Sequence, residues 1–525
     1  MNKGKVYLVG AGPGDPRLIT IRGMQCIKEC TAIVYDRLAS PRLLRYARPD
    51  VKRVYVGKLP DRHTMKQEEI NQLLVDLALE GHIVTRLKGG DPTIFGRVGE
   101  EAALLNQHDI TYEIVPGITS AISVPAYAGI PVTHRDHASS LSIVTGHESP
   151  DKLDRSIYWD KVTNATGTLL FLMGVAKIDY ISKQLMKHGR SPATPVALVR
   201  WGTTPEQETL VGTLENIAEL VEQRKFESPA IIIVGDVVKQ RDELLWYEKM
   251  PLFGMRVLVT RARSQASEFA ELIEALGGEP CEFPVIEVRK PQDISMLEAI
   301  KTSVSNAERY DWLGFTSVNG VDYFFQALQE HGIDVRRFYR AKIAAVGPKT
   351  AESLQQRGLQ VDVQAGRYDA EGLVEVLSHR MQAGERILLP RGDLARSVLP
   401  EQLKAQGILA DEISVYETVV AQQQDPIVLD WIKSNHIHML TFTSSSTVHN
   451  LIQVLQQNGF EDPISVLSQY HIASIGPITS KTITDYGLKV TVEAEEATIE
   501  SLTAALVGYN AKRRQIYHHE SNNNS

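Results

Sequence analysis

The run Val6-Tyr7-Leu8-Val9, followed at once by Gly10-Ala11-Gly12-Pro13-Gly14-Asp15, constrains the first half of this chain more than any other stretch. Four apolar residues are too few for a helix, and without polar alternation they read as a strand buried on both faces. Beyond the turn, Asp15-Pro16 and Thr20 open a helical pattern with Ile21, Met24 and Ile27 on one stripe and Thr20 as its N-cap. Strand, glycine turn and helix open a doubly wound α/β domain, whose ligands sit at the carboxyl ends of the strands. A dinucleotide fingerprint asks for glycine where Asp15 stands, and Pro13 withholds an N–H that would face a pyrophosphate. A nicotinamide site of that kind is therefore disfavoured, while a turn of purely structural purpose stays open.

A chain of 525 residues is too long for one core and implies about two to four domains. Hydrophobic content of 43% and charged content of 23% belong to an ordinary soluble globular protein. The formal charge of −8 argues against a broad nucleic-acid surface. No stretch approaches the roughly 18 apolar residues that cross a bilayer, and the N-terminus lacks a signal-peptide core, so no membrane is expected and a cytoplasmic location is. Three cysteines make no disulfide framework, which fits a reducing compartment. Cys26 and Cys30, four apart on the predicted helix, read as small buried residues; neither they nor His436 and His438 are expected to hold metal.

Several strands of the first half end in chemically loaded residues. Ala32 to Tyr35 ends at Asp36, Arg53 to Val56 at Gly57-Lys58, His82 to Leu87 carries Arg86 and runs into Lys88-Gly89-Gly90-Asp91, and Tyr112 to Val115 ends in Pro116-Gly117-Ile118-Thr119-Ser120. Singly, Asp36 or Lys58 is a solvated loop residue; with two glycine turns beside them, these groups point to one crevice. After a linker-like stretch, His147 to Asp160, three more strands follow. They are Thr168 to Leu172 before Met173, Pro195 to Arg200 before Trp201-Gly202-Thr203, and Pro229 to Val234, with Ala230 near its start. Met173 and Ala230 suit a purine or a thioether, or simply a core.

GAGPGDP, YDRL, RLKGGDP, VPGITSA, FLMG and PAIIIVG, spread over residues 3 to 245, resemble uroporphyrinogen-III C-methyltransferase, a tetrapyrrole methylase. The resemblance implies two α/β subdomains, about 1–146 and 147–245, with S-adenosylmethionine between them and S-adenosylhomocysteine as its product. It implies cofactor contacts from Pro13, Gly89, Gly90, Asp91, Ile94, Thr119, Ser120, Met173, Gly202 and Ala230, with Asp91 as partner of the cofactor's ribose or amino group. It further implies Asp36 as proton acceptor, Lys58 as proton donor, Arg86 in the same crevice, and a homodimer built through this half. The implied reaction methylates uroporphyrinogen III at C2 and C7 to give precorrin-2, toward sirohaem or cobalamin. Carbon attack on a sulfonium methyl leaves an iminium that must shed a proton, which is work for a carboxylate such as Asp36. A substrate with many carboxylates also suits Arg37, Lys58, Arg86 and Arg97.

Charge and turn formers from Lys239 to Gly254 mark a boundary, with 246–254 as linker. Beyond it the chain repeats itself. RVLVTRA from Arg256 is echoed by RILLPRG from Arg386, GFTSVNGVDYFFQAL from Gly314 by TFTSSSTVHNLIQVL from Thr441, and IAAVGPKTAESLQQRGLQVDV from Ile343 by IASIGPITSKTITDYGLKVTV from Ile472. The near-constant spacing makes this a duplicated α/β unit with a cleft between its copies. Thr316-Ser317, Gly347-Pro348-Lys349-Thr350, Thr443-Ser444 and Gly476-Pro477-Ile478-Thr479 are helix starts whose free amides suit anions, though each also serves as an ordinary cap.

This half resembles uroporphyrinogen-III synthase. The resemblance implies two lobes, 255–284 plus 419–508 and 285–418, joined by two extended strands, Phe283 to Val288 and Ile413 to Thr418. The implied reaction, that of a hydro-lyase, closes hydroxymethylbilane to uroporphyrinogen III with inversion of ring D. Tyr416 would assist loss of the hydroxyl, or be a buried structural tyrosine, while Thr316, Ser317, Thr350, Ser444 and Thr479 would hold substrate. Residues 509–525 read as a disordered tail. A rival reading has the first half methylate another tetrapyrrole and makes the second half a ligand-sensing module.

Overall fold

Five strands, β1 (Lys5–Gly10), β2 (Ala32–Tyr35), β3 (Lys52–Tyr55), β4 (Ile83–Lys88) and β5 (Thr111–Val115), form a parallel sheet in the order β3-β2-β4-β1-β5. The computed structural model describes residues 3–48, 50–57, 65–146, 157–261, 263–367, 370–395, 397–421 and 424–523. β1 is apolar throughout because it is covered twice. Val6 and Leu8 pack with Leu74 and Leu105 of the helices Gln67–Leu79 and Val98–Gln107, while Tyr7 and Val9 pack with Cys26 and Ile27 of the helix Ile21–Glu29. The chain thus leaves β1 on one face and β4 on the other. Where neighbouring strands part in this way, their carboxyl ends open a crevice.

Thr20 caps its helix as expected, its Oγ1 accepting the Gly23 N–H at 3.1 Å. Ile21, expected on the buried stripe, is instead 82% exposed, because the inward face is Gly23, Cys26 and Ile27. Both cysteines are core residues, and burial pushes the Cys26 thiol up to about 11.

A second sheet of β6 (Leu141–Thr145), β7 (Thr168–Leu172), β8 (Pro195–Arg200), β9 (Glu208–Thr213) and β10 (Ala230–Val234) runs in the order β6-β7-β10-β8-β9, with β10 antiparallel to both neighbours. The helix Ser120–Tyr127 leaves β5 of the first sheet but packs Ala121 and Val124 onto Leu172, Val199 and Ile231 of the second. It therefore carries the end of one sheet to the face of the other. Of the linker-like stretch, 147–156 lie outside the described residues, and Trp159–Ala165 is a helix.

In the second half the repeats build two matching sheets. One runs Glu279–Glu282, Arg256–Val259, Met439–Phe442, His471–Ser474, Val492–Glu493, all parallel. The other runs Ile286–Arg289, Leu409–Val420, Arg386–Gly392, Trp312–Phe315, Lys342–Ala345, Val363–Gln364, with only Ile286–Arg289 antiparallel to its neighbour. The connecting strand expected over 413–418 runs from Leu409 to Val420, because it pairs first with Arg386–Gly392 and then with Ile286–Arg289. The other connection forms a strand only over Ile286–Arg289.

The tail departs from expectation. Ile499–Asn523 is one helix: Leu502 and Leu506 are buried with Val257 and Ile273, and beyond them the anchors are polar. Asn510, without exposed surface, donates to Pro251 O at 2.9 Å and Phe253 O at 3.1 Å, Arg513 to Gly254 O at 2.7 Å and Arg514 to Met250 O at 3.1 Å. These donors satisfy carbonyls of 246–254, so the segment expected as a linker and the segment expected as disordered hold each other. Among the described residues no helix is long and apolar enough to cross a membrane, and no group of three or more His, Cys, Asp or Glu is placed to hold a metal ion.

Candidate functional site

The crevice begins where three turns touch. A Cβ on Gly10 would lie 2.6 Å from Gly117 and 2.7 Å from Gly90 O, so the turns after β1, β4 and β5 approach as bare backbone. Gly12 and Gly90, at φ +78° and +68°, form an antiparallel bridge across the top, with Pro13 just beyond. Gly90 also lies against Thr119 and Ser120, its would-be Cβ 3.5 Å from the Ser120 nitrogen. Thr119 caps the helix that Ser120 opens, its Oγ1 accepting the Ala121 N–H at 3.3 Å.

Asp91 holds these turns together. Its Oδ1 accepts the Thr93 N–H at 2.7 Å and the Thr93 hydroxyl, and its Oδ2 accepts the Gly117 N–H at 2.9 Å. Both oxygens, expected to meet the cofactor, are engaged with the chain's own loops. Ile94 follows and packs onto the core shared by the helix Ser120–Tyr127 and the second sheet.

The second sheet supplies the opposite wall. Pairing of Leu172 with Ile231 and of Arg200 with Ala230 puts Met173, Ala230 and Trp201 along one edge. Met173 is in the left-handed region at φ +58° and is 47% exposed. Gly202 passes so close to the helix Ser120–Tyr127 that a Cβ would meet Val124 at 2.4 Å. Next to it, Thr203 Oγ1 accepts the Asp15 N–H at 3.1 Å, which ties the first glycine turn to this wall. Burial raises the Asp15 carboxyl, but Arg17, at 2.7 Å, and the Tyr127 hydroxyl, at 3.0 Å, outweigh it and hold it below the usual range.

Asp36 stands at the end of β2 with its side chain 25% exposed. Buried Arg86, on β4, donates from Nη2 to Asp36 Oδ2 at 2.9 Å, and the Leu38 N–H donates to Oδ1 at 3.0 Å. Leu38 in turn lies over Gly89, whose Cβ would be 2.5 Å from it, and Arg37 stacks on Trp201 at 5.3 Å. Thus the YDRL segment meets both the β4 turn and the far wall. Lys58 lies outside the described residues; Gly57 before it abuts the Arg37 backbone. Arg97 is paired with Glu100 at 2.7 Å.

One member of this cluster was not anticipated. Glu101 is fully buried and accepts the Lys88 ammonium at 2.7 Å, directly behind Arg86. Its place between Val98 and Leu105 on the apolar stripe of its helix was the available signal.

In the second half, Ser317 Oγ accepts the Gly320 N–H at 3.0 Å and lies 3.3 Å from the Tyr416 hydroxyl, while the Tyr416 ring covers Gly392. Thr316 precedes this cap directly. In the matching lobe Ser444 and Ser446 are hydrogen-bonded at 2.9 Å, and Thr482 donates to Ser445 at 2.8 Å, setting two helix starts side by side. Lys349 reaches Glu268 across the lobes at 2.7 Å. Thr350 and Thr479 have buried side chains, so these helix starts present their amides more than those hydroxyls. A cavity of about 540 Å³ beside Asp322, Phe325 and Arg357 contains none of the anticipated residues.

Fold and site define a two-part α/β protein with a crevice between two subdomains in its first part and a duplicated two-lobed unit in its second. The family model of the Tetrapyrrole (Corrin/Porphyrin) Methylases matches residues 5–218, and that of Uroporphyrinogen-III synthase HemD matches residues 267–504. The Porphyrin biosynthesis protein HemD of Ruminiclostridium josui is 36% identical over 507 residues, spanning 97% of this chain and 98% of that protein. The S-adenosyl-L-methionine-dependent uroporphyrinogen III methyltransferase of Methanosarcina barkeri is 51% identical over 243 residues, 46% of this chain and 95% of that protein. The crystal structure of Uroporphyrin-III C-methyl transferase from Thermus thermophilus complexed with S-adenyl homocysteine is 40% identical, covering 45% of this chain and 99% of that one at a TM-score of 0.38. The chain belongs to the family of fused tetrapyrrole methylases and uroporphyrinogen-III synthases, with the methylase domain first and the synthase domain second.

Proposed function

We propose that the first half transfers methyl groups from S-adenosylmethionine to C2 and C7 of uroporphyrinogen III, giving precorrin-2 and S-adenosylhomocysteine. The second half, in this reading, closes hydroxymethylbilane to uroporphyrinogen III with inversion of ring D. The carrying observation is convergence: the Asp36–Arg86 pair shares one crevice with Gly89, Gly90, Ser120, Met173 and Gly202. Support for the cofactor comes from the Methanosarcina relative, an S-adenosyl-L-methionine-dependent methyltransferase, and from the residues themselves. Gly90 leaves open the space that a side chain would fill, and Met173 offers a half-exposed thioether at the facing wall.

When bound, the cofactor supplies an electrophilic methyl on a sulfonium. The chain's own task is placement, since holding a pyrrole carbon in line with that methyl is worth up to about 7–11 kcal/mol. Asp36, fixed by Arg86 yet open to the crevice, takes the proton that the macrocycle loses after carbon attack. Lys58 is assigned the donor role and Arg37 the substrate carboxylates, while Arg86 stays engaged with Asp36. Incubation with uroporphyrinogen III and methyl-labelled cofactor tests this half: two labels per macrocycle are expected, and an unlabelled macrocycle contradicts it.

For the second half, Tyr416 is assigned to the departing hydroxyl, with Ser317 beside it. Tyr416→Phe is expected to lower cyclisation by more than about tenfold; a smaller loss makes Tyr416 structural.

The homodimer is assigned to edge strand β5, where Tyr112, Ile114, Ile118 and Ile122 are exposed together. Ile114→Lys with Ile122→Glu is expected to give a monomer by light scattering. An unchanged dimer mass would move the interface elsewhere.

A further inference from the structure

Alternation along β4 puts Arg86 and Lys88 on the same face of the strand, two like charges side by side and both buried. Glu101 faces them from the helix Val98–Gln107. Its Oε1 accepts Lys88 Nζ at 2.7 Å and Gln67 Nε2 at 3.1 Å, and lies 3.6 Å from Arg86 Nε. Arg86 then projects away from Glu101, with Nη1 on the Leu87 carbonyl at 2.8 Å and Nη2 on Asp36 at 2.9 Å. A continuous line of charges therefore runs from a fully buried carboxylate to the rim of the crevice.

The contact at Arg86 is one of charge. Nε makes no hydrogen bond among the described residues, so at that end of the guanidinium it is the Glu101 carboxylate that opposes repulsion by Lys88, while Asp36 does so at Nη2. Burial lowers the Lys88 ammonium and Arg86 lowers it further, while Glu101 works in the opposite direction. Without that carboxylate, two buried cations would sit side by side on one face of the strand, and Asp36 alone would hold Arg86 against that repulsion.

We propose that Glu101 is a positioning residue for methyl transfer, holding Arg86 so that its Nη2 edge stays on Asp36. It rests on the assignment of Asp36 as proton acceptor. With no exposed surface, Glu101 touches neither substrate nor cofactor.

The test compares Glu101→Gln and Glu101→Asp in the full-length protein. Glutamine keeps the shape and an acceptor for Lys88 and Gln67 but removes the charge, whereas aspartate keeps the charge on a shorter stem. In Glu101→Gln, kcat for methyl transfer is expected to fall at least about fivefold while the Kd for S-adenosylhomocysteine changes by less than about twofold, and Glu101→Asp is expected to recover part of the loss. A smaller fall in kcat overturns the proposal. So does a joint loss of kcat and affinity that is equal in both variants, which is the signature of a scaffold role only. Should Glu101→Gln fail to fold, Glu101→Gln with Lys88→Met leaves a single buried cation. Turnover near wild type in that double variant, where Arg86 no longer neighbours a second buried cation, supports the proposal, and loss of turnover with intact affinity overturns it. Absence of methyl transfer by the unaltered protein would overturn the assigned reaction instead, so the two failures are distinct.

Discussion

Gly12 and Gly90 donate to each other's carbonyls across the top of the crevice, at 3.2 Å from Gly12 and 2.7 Å from Gly90, so the two glycine turns are one piece of backbone. At Gly90 a Cβ has room, its nearest neighbour being 3.5 Å away, and the difficulty is the positive φ. At Gly10 the conformation is ordinary, but a Cβ would sit 2.6 Å from Gly117 backbone. Gly90→Ala is accordingly expected to cost about 1–2 kcal/mol and to weaken cofactor binding at the seam with Ser120. Gly10→Ala is expected to lower the melting temperature further, because whole turns must part. A melting temperature for Gly10→Ala at or above that of Gly90→Ala would show that the turns are looser than described.

Asp36→Asn retains the shape and one acceptor oxygen, which can serve the Leu38 N–H or Arg86 but not both, and it cannot take a proton. Methyl transfer is expected to fall by about 10²-fold or more, with calorimetric affinity for S-adenosylhomocysteine unchanged. Turnover near wild type removes Asp36 from the chemistry.

His438 links acid to unfolding of the second half. Its Nδ1 accepts the Arg256 N–H at 2.9 Å, and burial, with the nearby Arg513 and Arg256, pushes its pKa down to about 4. The unfolded value is about 6.5, so the folded state prefers the neutral ring. Its contribution is complete above about pH 6.5 and is lost as pH falls toward 4, with a slope of at most about 1.4 kcal/mol per pH unit. His438→Gln is expected to be less stable at pH 7 yet to lose less between pH 6.5 and 4 in urea unfolding. Parallel losses in variant and wild type would place the acid sensitivity elsewhere.

The two halves meet through a buried ion pair, Arg42 with Glu274, flanked by Arg45 with Glu282 and by Arg256 with Glu206 at 2.9 Å. Removing one partner of a buried pair is typically costlier than removing both. Glu274→Gln is expected to lose about 3–5 kcal/mol in denaturant unfolding, and Arg42→Leu with Glu274→Leu to regain much of it. A double variant no better than the single would mean that the pair is hydrated.

What could be read from the chain follows from what each element depends on. The strand ends bearing Arg86 and Met173 are announced locally, by short apolar runs closed by glycine, that of Asp36 by an apolar run alone, and the repeat in the second half is visible within the sequence itself. Thr20 works as a cap because capping needs only three residues. The helix through Asn510 could not be read that way. Its start carries a buried apolar stripe, Leu502 and Leu506, but beyond Tyr509 what holds it is side-chain donors finding carbonyls at 250–254, a contact across half the chain. The burial of Thr350 and Thr479 could not be read locally either: both are third from a glycine cap, and only the packing beneath decides that this position faces inward. The position of Glu101 on the apolar stripe of its helix signals burial, but not that two cations from another strand are its partners.

The most direct measurement is to give the full-length protein hydroxymethylbilane with methyl-labelled S-adenosylmethionine under reducing conditions and to weigh the pigment. A cyclic product carrying two labels, lost in Asp36→Asn while unlabelled uroporphyrinogen III accumulates, is the predicted result. Unlabelled linear pigment, or equal labelling in wild type and Asp36→Asn, would contradict the account.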